Sequence, residues 1–181
     1  MEDLRDFPRN FLSRFYLWTK ARIKEGRFPK NEGVYSRTVM DILNKQGIMF
    51  NNNKETIDYM PTPLDDLTAR SIRGNSVQYF RGRNIEDIKR GIIDPNMKVY
   101  VALKVTNEIA RYTGGIIDKI KNPNYGFGHA LHCIGYSDNN NYLFIKNSWG
   151  IGWGENGNFR ISYDSFDSIV YDIWLVKIKH L

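Results

Sequence analysis

The stretch from Gly128 to Gly157 constrains this chain more than any other. It reads Gly128-His129-Ala130-Leu131-His132-Cys133-Ile134-Gly135-Tyr136, then a polar turn, then Tyr142-Leu143-Phe144-Ile145-Lys146-Asn147-Ser148-Trp149-Gly150-Ile151-Gly152-Trp153-Gly154-Glu155-Asn156-Gly157. Two short apolar runs on either side of Asn139 to Asn141 predict a hairpin, because strands of this length are bounded by Asn and Gly turns. The hairpin from Cys133 to Leu143 sets the strand that begins at His129 beside the strand that leads into Asn147. Glycines at 150, 152, 154 and 157 let the chain turn tightly around Trp149 and Trp153.

The same strand character extends over the second half. Val99, Val101 and Leu103 alternate with Tyr100, Ala102 and Lys104, and Asn158 to Tyr163 and Ile173 to Ile178 are further short apolar runs. Before Pro95 the periodicity is helical. Phe11, Phe15, Trp18 and Arg22 fall on one stripe, and Val39, Ile42 and Leu43 on another within Ser36 to Gln46, with Ser36 as a plausible N-cap and Gly47 as a stop. Pro61 and Pro63 predict an extended passage. Asn84 to Gly91 predicts a further helix, capped by Asn84, with Ile85, Ile88 and Ile92 on one face. Helices in residues 1–94 and antiparallel-looking strands in 95–181 predict an α+β chain with two lobes. The Asn51 to Asn53 run reads as a loop.

Composition narrows the function classes. An apolar fraction of 41% and a charged fraction of 25% over 181 residues describe a globular chain with a real core and exclude disorder or collagen. No apolar run reaches the roughly 18–20 residues of a membrane span, and Met-Glu-Asp-Leu-Arg lacks the basic start of a signal peptide, so a cytoplasmic chain without a membrane partner is expected. The single cysteine, Cys133, forms no intrachain disulfide. The net charge of +6 invites a nucleic-acid reading, and Arg70, Arg73, Arg81, Arg83, Lys89 and Arg90, with Tyr79 and Phe80 among them, are the nearest thing to a patch. Without a reading motif such a stretch is a solvated face, and no nucleic-acid partner is expected. His129, His132 and Cys133 suggest a metal only at first sight. Strand alternation puts His132 on the face opposite the other two, and no further Cys or paired carboxylates complete a set, so neither metal nor cofactor is expected.

The tract from His129 to Gly157 resembles the His-to-Asn portion of the papain family of cysteine peptidases, with its Lys-Asn-Ser-Trp-Gly-x-Gly-Trp-Gly-Glu-x-Gly signature. Tyr112-Thr113-Gly114-Gly115-Ile116 is similar to the element that precedes the family's His strand, and Arg160 to Phe166 with Asp172-Ile173-Trp174 to its C-terminal strands. Leu12 to Leu17, Ala21, Arg22, Gly26 and Val39 to Gly47 resemble the segment after its long central helix. The resemblance implies a papain-like two-lobe fold with an incomplete helical lobe and a complete strand-rich lobe. It implies peptide bond hydrolysis by thiol chemistry, with His129 as general acid/base, Asn147 as the group that orients its ring and Trp149 as a cover that keeps water from their hydrogen bond. Ala102 and Ala130 match positions bordering a substrate pocket, where small side chains leave room for a bulky apolar group; Trp149 and Trp153 belong to the same surroundings and are expected in the core.

The family's nucleophile is a Cys in a Gln-x-x-x-x-x-Cys-Trp context at the N-terminus of a buried helix, where the helix dipole favours the thiolate. No such element exists in these 181 residues. Cys133 does not replace it, because residues four apart on a strand are separated by about 13 Å, and its apolar neighbours mark it as a buried residue. Two expectations follow. The chain is part of a truncated or split peptidase whose nucleophile lies elsewhere, or it is an inactive pseudopeptidase that binds peptides or proteins. Either way, Phe7, Phe11, Phe15 and Trp18 partly replace the central helix, or a second chain or copy completes the helical lobe.

Overall fold

Caps and glycines written into the sequence set most element boundaries. The computed structural model describes residues 12–50, 56–73 and 77–178. They fall into two compact units divided between Gln78 and Tyr79. The first contains α1 (Arg14–Lys24), α2 (Ser36–Lys45) and α3 (Pro63–Arg73). Ser13 starts α1 by accepting a hydrogen bond from the Tyr16 amide at 2.8 Å. Gly47 ends α2 as expected: at φ +86° its amide donates to the Ile42 carbonyl at 3.1 Å.

Three expectations are corrected here. Pro63 does not force an extended passage; it opens α3, because a proline in the first turn loses no hydrogen bond and already holds a helical φ. Thr62 and Asp65 seal that start reciprocally: the Asp65 carboxylate accepts from the Thr62 amide at 2.8 Å and the Thr62 hydroxyl accepts from the Asp65 amide at 3.3 Å. Ser36 is the first helical residue rather than the cap, which is Tyr35. Along α1 the fully buried stripe is Tyr16, Thr19 and Arg22, while Phe15 and Trp18 are half-buried and Phe7 and Phe11 lie outside the described residues, as do Asn51 to Asn53.

The second unit is built on a sheet whose strand order is β1-β7-β2-β4-β5-β6-β3, with β1 (Val77–Arg81), β2 (Met97–Val105), β3 (Ile116–Ile117), β4 (Phe127–Ser137), β5 (Tyr142–Lys146), β6 (Asn158–Ser162) and β7 (Val170–Ile178). The pairs β2–β4, β2–β7, β4–β5 and β5–β6 are antiparallel, and β3 runs parallel to β6. The fold is α+β, as expected. Val99, Val101, Leu103 and Val105 of β2 point into one core with Leu131, Cys133, Leu143, Ile145, Phe159 and Ile161. The predicted hairpin is present: β4 and β5 turn through residues 138–141, with Asn141 at φ +51°.

Helix α4 (Ile85–Ile93) is capped by Asn84, whose side chain accepts from the Asp87 amide at 3.0 Å. It packs in this unit although the sequence groups it with the helices. A Cβ at Gly91 would lie 2.7 Å from both Leu175 and Val99, so glycine lets helix and sheet approach closely. The sequence also hides α5 (Asn107–Ala110), β1 and β3, and it reads Tyr163 as strand where α6 (Tyr163–Ile169) begins, capped by Ser162. Apolar runs too short to show a period do not separate helix from strand.

Candidate active site

His129 is the third residue of β4, and Asn147 follows the last residue of β5. His132 pairs with Lys146, so continuing that register places Asn147 beside Leu131, two residues from His129 on the same face. The Asn147 amide N–H is fixed by the Gly157 carbonyl at 2.8 Å. Its side-chain oxygen receives the Ser148 amide at 2.7 Å and lies 2.9 Å from His129 Nε2. A hydrogen already directed at Oδ1 from Ser148 assigns the oxygen, rather than the amide nitrogen, to this position. Nε2 therefore carries the ring proton and donates it to Asn147. His129 Nδ1 has no hydrogen-bond partner among the described residues and is left as the basic nitrogen.

Aromatic rings flank the imidazole. Trp149 stacks on it with centroids 5.3 Å apart and planes 21° from parallel, and Phe127 stands edge-on at 6.5 Å. Trp149 itself is 37% exposed, which corrects its expected place in the core: it is a cover, wet on one side. Trp153 lies deeper, half-buried against the core, with its ring edge-on to Trp149 at 5.0 Å and to Phe159 at 5.8 Å. Ala102 and Ala130 are paired in register on β2 and β4; Ala102 is buried and Ala130 exposed.

The sequence reading missed what holds the Trp loop. Glu155 Oε1 lies 2.6 Å from Arg160 Nη2, 2.7 Å from the Tyr112 hydroxyl and 3.0 Å from the Gly115 amide. A single charged residue in the otherwise uncharged, Gly-rich run from Asn147 to Asn158 was the available signal. Arg160 first, then Tyr112, hold the Glu155 carboxyl below the usual carboxylate range. Gly150, Gly154 and Gly157 have φ of +87°, +57° and +81°, and a Cβ at Gly154 would meet the Asn158 carbonyl at 2.5 Å, so the loop's path depends on them. Gly152 needs no such freedom.

Cys133 stays apart from this group. It is buried, its thiol is 3.8 Å from the Gly135 and Phe144 carbonyls, and burial pushes it up to about 12. At neutral pH it is a protonated, inert thiol. Burial, followed by Lys98 and Lys146, lowers the pKa of His132. Among the described residues no group of His, Cys, Asp and Glu is arranged to hold a metal, and no helix is long and apolar enough to cross a membrane. Arg81, Arg83, Lys89 and Arg90 of the basic stretch each face an acid: Asp172, Asp87, Glu86 with Asp138, and Asp87.

A pinned imidazole with one free nitrogen beside a covered amide is the arrangement expected where a proton is taken from a nucleophile and returned to a leaving group. The papain family cysteine protease model matches residues 32–171, and the chain belongs to that family. It is 24% identical over 183 residues to an uncharacterised peptidase C1-like protein of Acanthamoeba polyphaga mimivirus, covering 91% of this chain and 58% of that protein. It is 34% identical over 117 residues to a cathepsin B-like cysteine proteinase of Caenorhabditis elegans, covering 58% of this chain and 33% of the relative. Among solved structures, xylellain, a cysteine protease from Xylella fastidiosa, superposes with a TM-score of 0.78 over 96% of this chain and 72% of its own, at 22% identity, a likeness of fold. The chain thus spans under two thirds of the length of the viral and nematode relatives.

Proposed function

We propose that His129 and Asn147 are the acid/base half of a papain-type cysteine peptidase site acting on peptide substrates. The observation that carries this reading is the 2.9 Å contact from His129 Nε2 to Asn147 Oδ1, which leaves Nδ1 free under the Trp149 ring. In the reaction, Nδ1 takes the proton of a thiol as its sulfur attacks the scissile carbonyl. The imidazolium then returns that proton to the departing amine, and water releases the acyl group from sulfur by the same route. Asn147 keeps the ring from rotating, and Trp149 raises the strength of the Nε2–Oδ1 bond by excluding water. Exposed Ala130, with Ala102 beside it, leaves space for a bulky apolar substrate side chain.

The attacking thiol is supplied by a residue that these 181 do not contain, since their sole cysteine is buried and protonated. That same observation supports the second reading, a peptide-binding module without chemistry. The two separate in one experiment. A fluorogenic peptide is incubated with the chain alone, and with the chain joined to a helix that begins in a Gln-x-x-x-x-x-Cys-Trp element. The peptidase reading expects no turnover by the chain alone, turnover by the joined protein, and a loss on the order of a hundredfold or more in His129→Ala. Undiminished turnover in His129→Ala sinks it, and saturable binding with no turnover in either protein establishes the binding module.

A further inference from the structure

The clamp on the Trp loop has no part in the chemistry above, yet it is the most heavily bonded polar group near the site. Tyr112 sits in the bend after α5, and Glu155 and Arg160 flank the entry to β6. The Tyr112 hydroxyl lies between the Gly115 carbonyl at 2.6 Å and Glu155 Oε1 at 2.7 Å, so its one proton serves either, while its oxygen faces the Arg160 amide at 3.3 Å. Arg160 meets the same carboxylate oxygen through Nη2 at 2.6 Å and Nε at 3.2 Å. Charge-assisted bonds of this kind are the stronger class, and convergence on one oxygen fixes the carboxylate in direction as well as position.

From the clamp a continuous set of contacts runs to the imidazole. The Tyr112 ring packs on Trp153 at 5.9 Å, Trp153 meets Trp149 edge-on at 5.0 Å, and Trp149 lies flat on His129 at 5.3 Å. The backbone follows the same route. Glu155 N–H bonds the Asn158 carbonyl at 2.9 Å, Gly157 N–H the Trp153 carbonyl at 2.8 Å, and the Gly157 carbonyl holds the Asn147 amide. Apart from Phe127 of its own strand, the groups set against the His129 ring, Trp149 and the Asn147 side chain, are thus carried by one loop whose far end is anchored at Glu155.

We propose that Glu155 is a positioning residue: clamped by Arg160 and Tyr112, it fixes the 147–158 loop so that Trp149 stacks on His129 and Asn147 selects the ring's Nε2–H tautomer. The assignment rests on His129 being the working imidazole, but it is measurable without any peptidase reaction. Removing the charge frees the loop's end, Trp153 loses its fixed edge-on contact with Trp149, Trp149 loses its fixed stack on His129, and the imidazole gains a second tautomer. The preceding glycines remain in place, so strands β5 and β6 are expected to survive.

The test uses nitrogen-15 imidazole NMR on the full 181-residue chain, at alkaline pH where histidine is neutral. His129 resonances are assigned by loss in His129→Gln, and His132, on the opposite face of β4, is the internal control. In the unaltered chain the His129 ring protons are shifted upfield by Trp149, and the nitrogen shifts report the Nε2–H tautomer. In Glu155→Gln most of the upfield shift is lost and the nitrogen shifts move toward a tautomer mixture, while His132 is unmoved; Glu155→Asp recovers part of both, and Tyr112→Phe loses less. Should Glu155→Gln fail to fold, Arg160→Lys replaces it, with a smaller loss expected. A folded Glu155→Gln or Arg160→Lys whose His129 resonances match the unaltered chain overturns the proposal. If the clamp variants behave as expected but His129→Ala leaves turnover of the Cys-joined protein intact, the functional reading falls and the positioning role stands.

Discussion

The two compact units are stabilised by different means. In the sheet unit a single cluster of buried apolar side chains runs from Ile88 through the central strands to Phe166 and Ile173. In the helical unit the described apolar cluster is Tyr16, Met49 and Ala69, with Leu17 and Tyr59 against it, while Leu12, Tyr35, Phe50, Met60, Leu64 and Leu67 are exposed. Polar bonds supply much of the order there. Arg22, fully buried, donates to the carbonyls of Pro29, Lys30 and Ile57 and to the Thr19 hydroxyl, with its guanidinium carbon 3.5 Å from the centre of the Trp18 ring. Tyr16 and Lys20 both bind Asp66. A continuous core resists point changes at its rim and fails at its centre; a unit tied by a few polar clasps fails at the clasp.

The largest effect expected from that contrast is at Phe159, buried between Tyr112 and Trp153. Phe159→Ala leaves a cavity in a close-packed site and is expected to cost about 3–5 kcal/mol in denaturant unfolding, against about 2 kcal/mol for Met49→Ala in the small helical cluster. Equal costs for the two would break the comparison.

Arg22 tests the other half. Arg22→Leu keeps bulk but leaves three backbone carbonyls without their donor, an expected loss of about 3 kcal/mol, above that of Met49→Ala. Hydrogen exchange locates it: amides of α1 and α2 should speed up most. A loss below about 1 kcal/mol would mean that the guanidinium is a passenger, its burial offset by what its removal relieves, since its Nε has no acceptor among the described residues. The caps come next. Asn84→Ala and Thr62→Ala each remove a side-chain acceptor from a helix start and should lower stability by about 1 kcal/mol, read from thermal melts.

How much of this was legible in the sequence follows the same division. The sheet unit announces itself, because period-two alternation in β2 and an Asn turn between β4 and β5 fix register, and register brings His129 to Asn147. Asn84 and Gly47 were readable as punctuation for the same reason: each satisfies a local backbone need. Pro63 was misread because its meaning depends on whether it stands in a first turn or an interior, and only the reciprocal bonds of Thr62 and Asp65 decide that. Trp149 was misplaced because composition treats every tryptophan as core, whereas a ring stacked on a histidine is half in water. The Glu155 clamp escaped because its partners, Tyr112 and Arg160, come from separate elements and carry no periodic signal. Arg22 was assigned to the right helix but given no partners, since three of its acceptors are backbone carbonyls, which every residue has.

The smallest expected effect concerns acid. Asp41 of α2 binds Lys24 of α1 and Lys45 of its own helix, the latter at 2.7 Å, and hydrogen bonds from Lys24 first and Lys45 second hold its carboxyl below the usual carboxylate range. A carboxylate whose folded pKa is depressed stabilises the fold above its unfolded pKa and loses that contribution as pH falls through the folded value. Both lysines are about half or more exposed, at 48% and 68%, so screening keeps the contribution to a few tenths of a kcal/mol, at most about 1. Asp41→Asn should therefore lower the urea midpoint slightly at neutral pH, and the difference from the unaltered chain should close below about pH 4. A gap that persists in acid would show that Asp41 acts through shape and not charge, and the helical unit would then depend less on its ionic ties than Lys24, Lys45 and Asp66 suggest.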